Sequence, residues 1–171
     1  MDQVRIRSAA RNDLSVLREI EWASGQRFRE FGLDHVADGV PASVEVLADF
    51  ADGGRAWVAV DDADRPIGFI VVEVIDGGGH IEQVSVVPDH QGRGVGRALI
   101  ERAKDWGITS GLAALTLTTF GHVPWNRPLY EHLGFRVLAE KEISSGVQAR
   151  RQAEADHGLD PDLRVVMRLE L

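Results

Sequence analysis

The segment Gln91–Ala98, Gln-Gly-Arg-Gly-Val-Gly-Arg-Ala, constrains the fold of this chain more than any other feature. A predicted strand over residues 80–87 precedes it and ends at Pro88, and a predicted helix begins near Gly96. Glycines let backbone amides approach a ligand closely, and the N–H groups of a first helical turn have no partners within the helix. With the positive end of the helix dipole they form an anion site suited to a pyrophosphate. The alternative interpretation is a glycine-rich turn that binds nothing.

The spacing of the glycines separates this segment from the common nucleotide-binding loops. A P-loop needs Gly-Lys-Ser/Thr after four spacer residues, and the sequence contains none. The dinucleotide-binding pattern places its third glycine three residues after the second, whereas Gly92, Gly94 and Gly96 alternate. A protein kinase needs a later catalytic-loop signature, and the chain is too short to form a kinase domain.

Hydrophobic periodicity predicts a mixed sheet flanked by helices, of the α/β or α+β class. Apolar stretches with strand character alternate with segments of helical spacing, in the order β-α-α-β-β-β-α-β-α-β-(α)-β. Residues 25–40 are predicted to be a short helix or a loop, and residues 144–157 to be partly helical. The predicted strands are residues 4–7, 56–60, 67–75, 80–87, 112–120, 136–143 and 163–171.

Composition narrows the class of protein and its partners. The 171 residues are predicted to form a single domain, 1–171, and their formal net charge of −8 argues against binding nucleic acid. An acidic chain mildly attracts cationic substrates. No cysteine occurs, which fits the reducing cytoplasm, and the prevalence of Arg over Lys favours a bacterial source. We find no signal peptide and no run of 18 apolar residues, so we expect a cytoplasmic protein without a membrane partner.

Two motifs together resemble the GNAT superfamily of N-acetyltransferases, which use acetyl-CoA. The family pattern Gln/Arg-x-x-Gly-x-Gly/Ala after a strand and an x-Pro is matched by Gln91–Gly96. A second feature, Asn followed by Leu-Tyr-Glu and Gly-Phe, is matched by Asn126–Glu131 and by Gly134 with Phe135. The element order also fits, from residue 3 to about residue 143.

The resemblance implies a mostly antiparallel central sheet of about seven strands, with a splayed strand pair at the cofactor site. It implies that the strand before the loop pairs with the pantetheine arm, and that a backbone N–H near Val86 faces the thioester carbonyl. It also implies that the loop and the first turn of the helix hold the pyrophosphate. The residues expected to bind acetyl-CoA are Val84, Ser85, Val86, Gln91, Gly92, Arg93, Gly94, Val95, Gly96, Arg97 and Asn126.

Without a cysteine there can be no acetyl-cysteine intermediate, so we expect direct transfer to a bound amine. An alkyl amine arrives protonated, and Glu82, where similar family members carry an acidic residue, is the predicted base, directly or through water. His80 and His122 are weaker candidates. The resemblance makes Tyr130, the single tyrosine, the predicted acid that protonates the departing CoA sulfur; the alternative is an aromatic packed beside Phe135. No metal site is expected, because the histidines form no close ligand pair.

The acceptor is predicted to be a primary amine of a small molecule, an amino acid or a peptide, and transfer of a longer acyl group stays open. Phe28 and Phe31 are candidates for the acceptor wall, with Glu21, Glu30 or Asp34. The tail, residues 144–162, is expected either to cover the acceptor site or to join a dimer; monomer and homodimer both remain open. The alternative function is an acyl-CoA-binding sensor without turnover, which would need neither Glu82 nor Tyr130.

Overall fold

A computed structural model describes residues 3–171, and within them lie seven strands and six α-helices. In chain order they are β1 (Arg5–Ser8), α1 (Leu14–Gly25), α2 (Asp34–Ala37), α3 (Val44–Asp52), β2 (Ala56–Val60), β3 (Pro66–Ile75), β4 (Gly78–Val86), α4 (Val95–Thr109), β5 (Ala114–Phe120), α5 (Arg127–His132), β6 (Arg136–Val137), α6 (Ser145–Asp156) and β7 (Arg164–Glu170). Short 3-10 helices join several of them, including Gln26–Phe31 and Pro88–His90.

The strands form one sheet in the order β1-β2-β3-β4-β5-β7-β6. The pairs β1–β2, β2–β3, β5–β7 and β6–β7 are antiparallel, whereas β4 and β5 run parallel. The predicted mixed, mostly antiparallel seven-stranded sheet is therefore confirmed, and the splaying of a strand pair stays a prediction.

The chain divides into two compact units. The first comprises the residues up to Glu73 together with Glu82–Asp105, and the second comprises Val74–Ile81 together with Trp106–Leu171. A single functional domain over residues 1–171 remains a proposal. Within residues 3–171, no helix has the length and apolar character needed to cross a bilayer.

The core of the first unit forms where α1 and α3 cover β2 and β3. Apolar residues three apart on α1 line up on one helix face and bury themselves against alternate residues of the strands. Ser43 caps α3 by accepting a hydrogen bond from the Val46 N–H at 3.2 Å. The fully buried members include Leu14, Leu17, Ile20, Leu47, Val58, Phe69 and Val71.

The start of α1 is tied to β1 by a charged pair. Arg7 donates from Nη1 and Nη2 to the two carboxylate oxygens of Asp13, at 2.7 and 3.1 Å. The same carboxylate accepts from the Ala10 N–H at 2.7 Å, which orients the chain entering the helix. Asp13 is buried. Burial alone would raise the pKa of Asp13, but these hydrogen bonds to Arg7 and Ala10 outweigh it and lower that pKa.

In the second unit, β7 lies between β5 and β6. The register pairs Leu117 with Met167 on one side and Val137 with Met167 on the other. Helix α6 contributes Val147 to a small cluster with Leu138 and Val166. The tail beyond residue 144 thus begins as an ordered helix packed within its own unit.

Residues 136–143 depart from the sequence prediction. The strand predicted there is only two residues long, β6, and the prediction for the rest was wrong. The chain turns instead into the 3-10 helix Glu140–Glu142, because the Glu142 carboxylate accepts from the Ala139 N–H at 2.8 Å. Residues 25–40, left open between helix and loop, form the 3-10 helix Gln26–Phe31 and the short α2.

Candidate active site

The glycine-rich loop lies between β4 and α4 in the first unit, as the sequence predicted. Gly92 and Gly94 have φ angles of +72° and +82°, a left-handed conformation that L-residues with a Cβ rarely adopt. A Cβ built on either glycine would meet no heavy atom within 4 Å other than those of the adjacent residues. The turn therefore needs glycine for its backbone conformation, and the side of the loop to which these Cβ atoms would point is open.

The first turn of α4 presents backbone donors beside this space. Ala98 N–H donates to the Gly94 carbonyl at 3.0 Å. The N–H groups of Val95, Gly96 and Arg97 precede that bond and, by helix geometry, have no i−4 carbonyl within the helix. Arg93 and Arg97 are exposed nearby in sequence. Aligned donors, a helix dipole and cationic side chains suit a phosphate group.

The side chain of Gln91 is turned toward the protein. Its Nε2 donates to the Val86 carbonyl at 2.9 Å, and its Oε1 accepts from Arg27 Nη1 at 2.8 Å. The backbone N–H of Gln91 donates to the Pro88 carbonyl at 3.2 Å. Gln91 therefore shapes the loop here, and a direct bond from it to a ligand stays a prediction.

The last residues of β4 lead into the loop with alternating orientation. Val84 and Val86 are half-buried, while Ser85 is buried and its Oγ accepts from Gln83 Nε2 at 2.7 Å. The period-two geometry of a strand places Glu82 on the face shared by Val84 and Val86. Glu82 is half-buried, and its Oε1 is shielded from solvent.

Tyr130 lies in α5 in the second unit and is 8% exposed. Its ring meets Phe135 edge-on, with centroids 5.8 Å apart, which is the contact that the alternative interpretation of Tyr130 expected. Burial raises the pKa of Tyr130 to about 12, although the positive charge of Arg164 opposes that shift. The phenol is therefore a neutral donor at physiological pH. A packed ring and a reactive hydroxyl are compatible, and the acid role stays a prediction.

Asn126 stands at the N-terminus of α5. Its carbonyl accepts from the Tyr130 N–H at 3.2 Å, while its side chain does not cap the helix. The backbone of Asn126 therefore begins the helix that carries Tyr130, and its predicted contact with a cofactor stays a prediction.

The two histidines proposed as weaker bases differ in environment. His80 is 1% exposed, and its Nδ1 lies 2.8 Å from Thr116 Oγ1. Burial above all, with the charges of Arg150 and Arg164, lowers the pKa of His80 to about 4. That burial argues against direct proton transfer from a substrate to His80. His122 is exposed, with its ring edge-on to Phe120 at 6.0 Å.

Comparison with known proteins identifies the family. The model of the acetyltransferase (GNAT) family matches residues 16–135, more than half of the chain. The chain belongs to this family. All the residues predicted for the site lie within the matched range.

Relatives of this GNAT protein carry related names. Peptidyl-lysine N-acetyltransferase YjaB of Salmonella typhimurium is 30% identical over 101 residues, 58% of this chain and 62% of the relative. A mycothiol acetyltransferase of Beutenbergia cavernae is 37% identical over 90 residues, 52% of this chain and 30% of the relative. The chain thus spans less than two thirds of the length of either relative. The PaiA N-acetyltransferase of Thermoplasma acidophilum, solved with coenzyme A, shares the fold, with a TM-score of 0.73 and 16% identity over 99% of this chain and 100% of that one.

The predicted GNAT site residues fall into two groups. Glu82, Val84–Val86 and Gln91–Arg97 share one strand–loop–helix segment of the first unit, whereas Asn126 and Tyr130 share the start of α5 in the second. Among residues 3–171, no three His, Asp or Glu side chains are grouped so as to hold a metal ion.

The sequence analysis did not find Arg27, whose side chain donates a hydrogen bond to Gln91 of the glycine-rich loop. The two residues are 64 positions apart, and no local pattern marks such a pair. It also missed the ion pair of Arg164 with Glu154 at 3.3 Å, in which the Arg164 guanidinium stacks 4.9 Å from the Phe120 ring centroid.

Proposed function

We propose that this protein transfers an acetyl group from acetyl-CoA directly to a primary amine of a small molecule, an amino acid or a peptide. The observation that carries the proposal is the loop before α4, where left-handed Gly92 and Gly94 border open space beside the amides of the helix. Membership of the GNAT family supports this interpretation over a glycine turn that binds nothing.

The donor is proposed to bind along one strand and one loop. Backbone groups of Val84–Val86 would pair with the pantetheine arm, and the amides of Gly92–Arg97 would hold the pyrophosphate. Arg93 and Arg97 would add charge–charge attraction, while Asn126 would contact the cofactor from α5. The neighbours solved with coenzyme A share the fold, which supports this assignment of the donor.

The acceptor amine must lose a proton before it can attack the thioester carbon. Glu82 is proposed to take that proton, directly or through water, because its shielded oxygen lies on the strand that carries Val84 and Val86. As the C–N bond forms, charge develops on the carbonyl oxygen, which the backbone N–H near Val86 would stabilise. No cysteine occurs in the sequence, so an acyl-cysteine intermediate is not part of the proposal.

Cleavage of the C–S bond leaves a thiolate on CoA. Tyr130 is proposed to donate a hydrogen bond or a proton to that sulfur. With its pKa near 12, the phenol is a weaker acid than a thiol, whose pKa is about 8.5. A hydrogen bond to the sulfur is thus favoured over complete proton transfer. The protonated amine loses two protons on becoming an amide; one balances the charge of the CoA thiolate, and the other is released to water.

The net charge of the chain and the name of one relative favour the same class of acceptor. A net charge of −8 favours a cationic acceptor such as a lysine side chain or a polyamine, and one relative is named a peptidyl-lysine N-acetyltransferase. Use of acetyl-CoA is consistent with a cytoplasmic location, which we also propose.

Release of CoA thiol over time, with a panel of primary amines and lysine-containing peptides, tests the proposal. We expect acceptor-dependent release that exceeds hydrolysis without an amine, together with an acetylated product found by mass spectrometry. Tight acetyl-CoA binding without turnover on any amine would instead support the acyl-CoA sensor.

A further inference from the structure

A hydrogen bond joins the glycine-rich loop to a segment more than sixty residues earlier in the chain. Arg27, in the 3-10 helix Gln26–Phe31, donates from Nη1 to Gln91 Oε1 at 2.8 Å. Both side chains are half-buried within the first unit. Burial lowers the pKa of Arg27, while the charge of Glu30 opposes that shift. An arginine in this setting remains a cation, and it is less strongly hydrated than a lysine would be.

Arg27 determines which way the Gln91 amide faces. A guanidinium has donors and no acceptor, so only the oxygen of the amide can face it. That orientation directs Nε2 to the Val86 carbonyl, which accepts it at 2.9 Å. If the amide were reversed, two donors would meet at Arg27 and two acceptors at Val86. The cation therefore selects the amide orientation that holds the end of β4.

The peptide between Val86 and Val87 is consequently held on both sides. Its carbonyl accepts from Gln91, and its N–H, that of Val87, donates to the Ile67 carbonyl at 2.9 Å. The chain leaves the strand at this peptide and enters the glycine loop. A rotation of this peptide plane would turn the backbone of Val86 and redirect the chain that leads into the loop.

We propose that Arg27 is a positioning residue that acts through Gln91 to hold the end of β4 and the loop in the conformation that binds CoA. The same bond links the loop to the segment Gln26–Phe31, whose Phe28 and Phe31 are candidates for the acceptor wall. Occupation of the loop would then also restrain this segment. This inference rests on the proposed function, because it takes CoA as the ligand of the loop.

Calorimetric titration of the full chain with CoA, without an acceptor, tests the inference. We expect Arg27→Met to weaken CoA binding about tenfold. Gln91→Glu keeps an acceptor for Arg27 but removes the donor to Val86, so it should weaken binding similarly. In a Gln91→Leu background, Arg27→Met should have little further effect on CoA binding, because the proposed effect of Arg27 on the loop runs through Gln91. Arg27→Lys should restore part of the affinity.

Arg29→Met is the matched control. Arg29 lies in the same 3-10 helix but pairs with Asp34 and Asp38, so CoA binding should stay unchanged. The free energy of unfolding of each variant separates a lost contact from a lost fold. If Arg27→Met does not fold, the Gln91 variants test the same link from its other end.

Hydrogen exchange supplies a readout that a purely structural role would not move. CoA should slow amide exchange of residues 26–32 in the wild type and in Arg29→Met, but not in Gln91→Leu. Normal CoA affinity in Arg27→Met, or additive losses in the double variant, would overturn the inference alone. Absence of CoA binding in the wild type would overturn the proposed function, and the inference with it.

Discussion

The carboxylate of Asp76 accepts a hydrogen bond from the backbone N–H of Gly146 at 2.8 Å. Asp76 lies in the turn between β3 and β4, and Gly146 lies in the first turn of α6. A carboxylate at a helix N-terminus is stabilising because it satisfies an unpaired donor and faces the positive end of the dipole. This contact anchors α6 to the turn within the second unit.

A Cβ on Gly146 should disrupt that anchor. It would lie 2.5 Å from both Asp76 Oδ2 and Ile75 Cγ2, closer than a Cβ atom approaches other heavy atoms in folded proteins. We expect Gly146→Ala to lower the free energy of unfolding by about 1–3 kcal/mol, measured by urea denaturation. Gly25→Ala is the control, because nothing lies within 4 Å of its Cβ and alanine favours the helix. Equal stability of the two variants would contradict this account.

Acetyl-CoA should raise the melting temperature of the wild type, since a ligand at 100 times its Kd adds about 2.7 kcal/mol of stability. Gly96→Val should abolish that shift by crowding the amides of the first turn. The substitution is better suited than one at Gly94, because Gly96 has no left-handed φ and its Cβ would lie an ordinary 3.9 Å from Val86 Cγ2. NADH and ATP should shift the wild type much less. A shift with ATP as large as that with acetyl-CoA would refute the proposed donor.

Glu82→Gln should lower kcat/KM by about 10²–10⁴-fold at neutral pH, the usual range for a lost general base. The loss should shrink as pH approaches the amine pKa, near 10.4, because free amine then becomes abundant. The measurement is the pH profile of kcat/KM for both proteins, with the half-exposed Glu101→Gln as control. A parallel profile in Glu82→Gln would transfer the base role to water or to another residue.

Tyr130→Phe keeps the ring and its edge contact with Phe135 but removes the hydroxyl. Because a phenol of pKa about 12 is a weak acid, we expect kcat to fall by only about 10- to 10²-fold, with acetyl-CoA affinity retained. Ionisation of Tyr130 should likewise cause no loss of rate between pH 7 and 10. Normal kcat with normal binding would remove Tyr130 from the mechanism, and a lowered melting temperature with lost binding would make it structural.

Asp13 should make the free energy of unfolding depend on pH in the acid range. Its pKa is lowered in the fold, so its contribution is present above the unfolded pKa, near 3.9, and is lost as pH falls through the lower, folded value. Asp13→Asn should therefore cost about 2–3 kcal/mol at pH 7 and less at pH 3. Urea denaturation at both pH values measures this. Asp52→Asn, which breaks an exposed pair with Arg11, should cost under about 1 kcal/mol at either pH.

Short sequence motifs predicted those parts of the structure that are determined by residues adjacent in the sequence. The strand–glycine–helix segment is marked by the alternation of Gly92, Gly94 and Gly96, and the start of α5 by Asn126 before its helix. Contacts over long separations left no such mark. The orientation of the Gln91 side chain depends on Arg27, and the burial of His80 depends on which strand pairs with β4. The strand predicted over residues 136–143 is only two residues long, because the chain turns where the Glu142 carboxylate accepts a hydrogen bond from the Ala139 N–H.

The position of β7 between β5 and β6 has a consequence for synthesis on the ribosome. Strand β6 emerges before β7, yet its hydrogen-bonding partner in the sheet is β7. Until Arg164–Glu170 has left the exit tunnel, the edge of β5 that pairs with β7 in the folded sheet has no partner strand. A nascent chain paused before this point offers that edge to any extended peptide, so binding of a chaperone should be strongest there and should end when β7 is added.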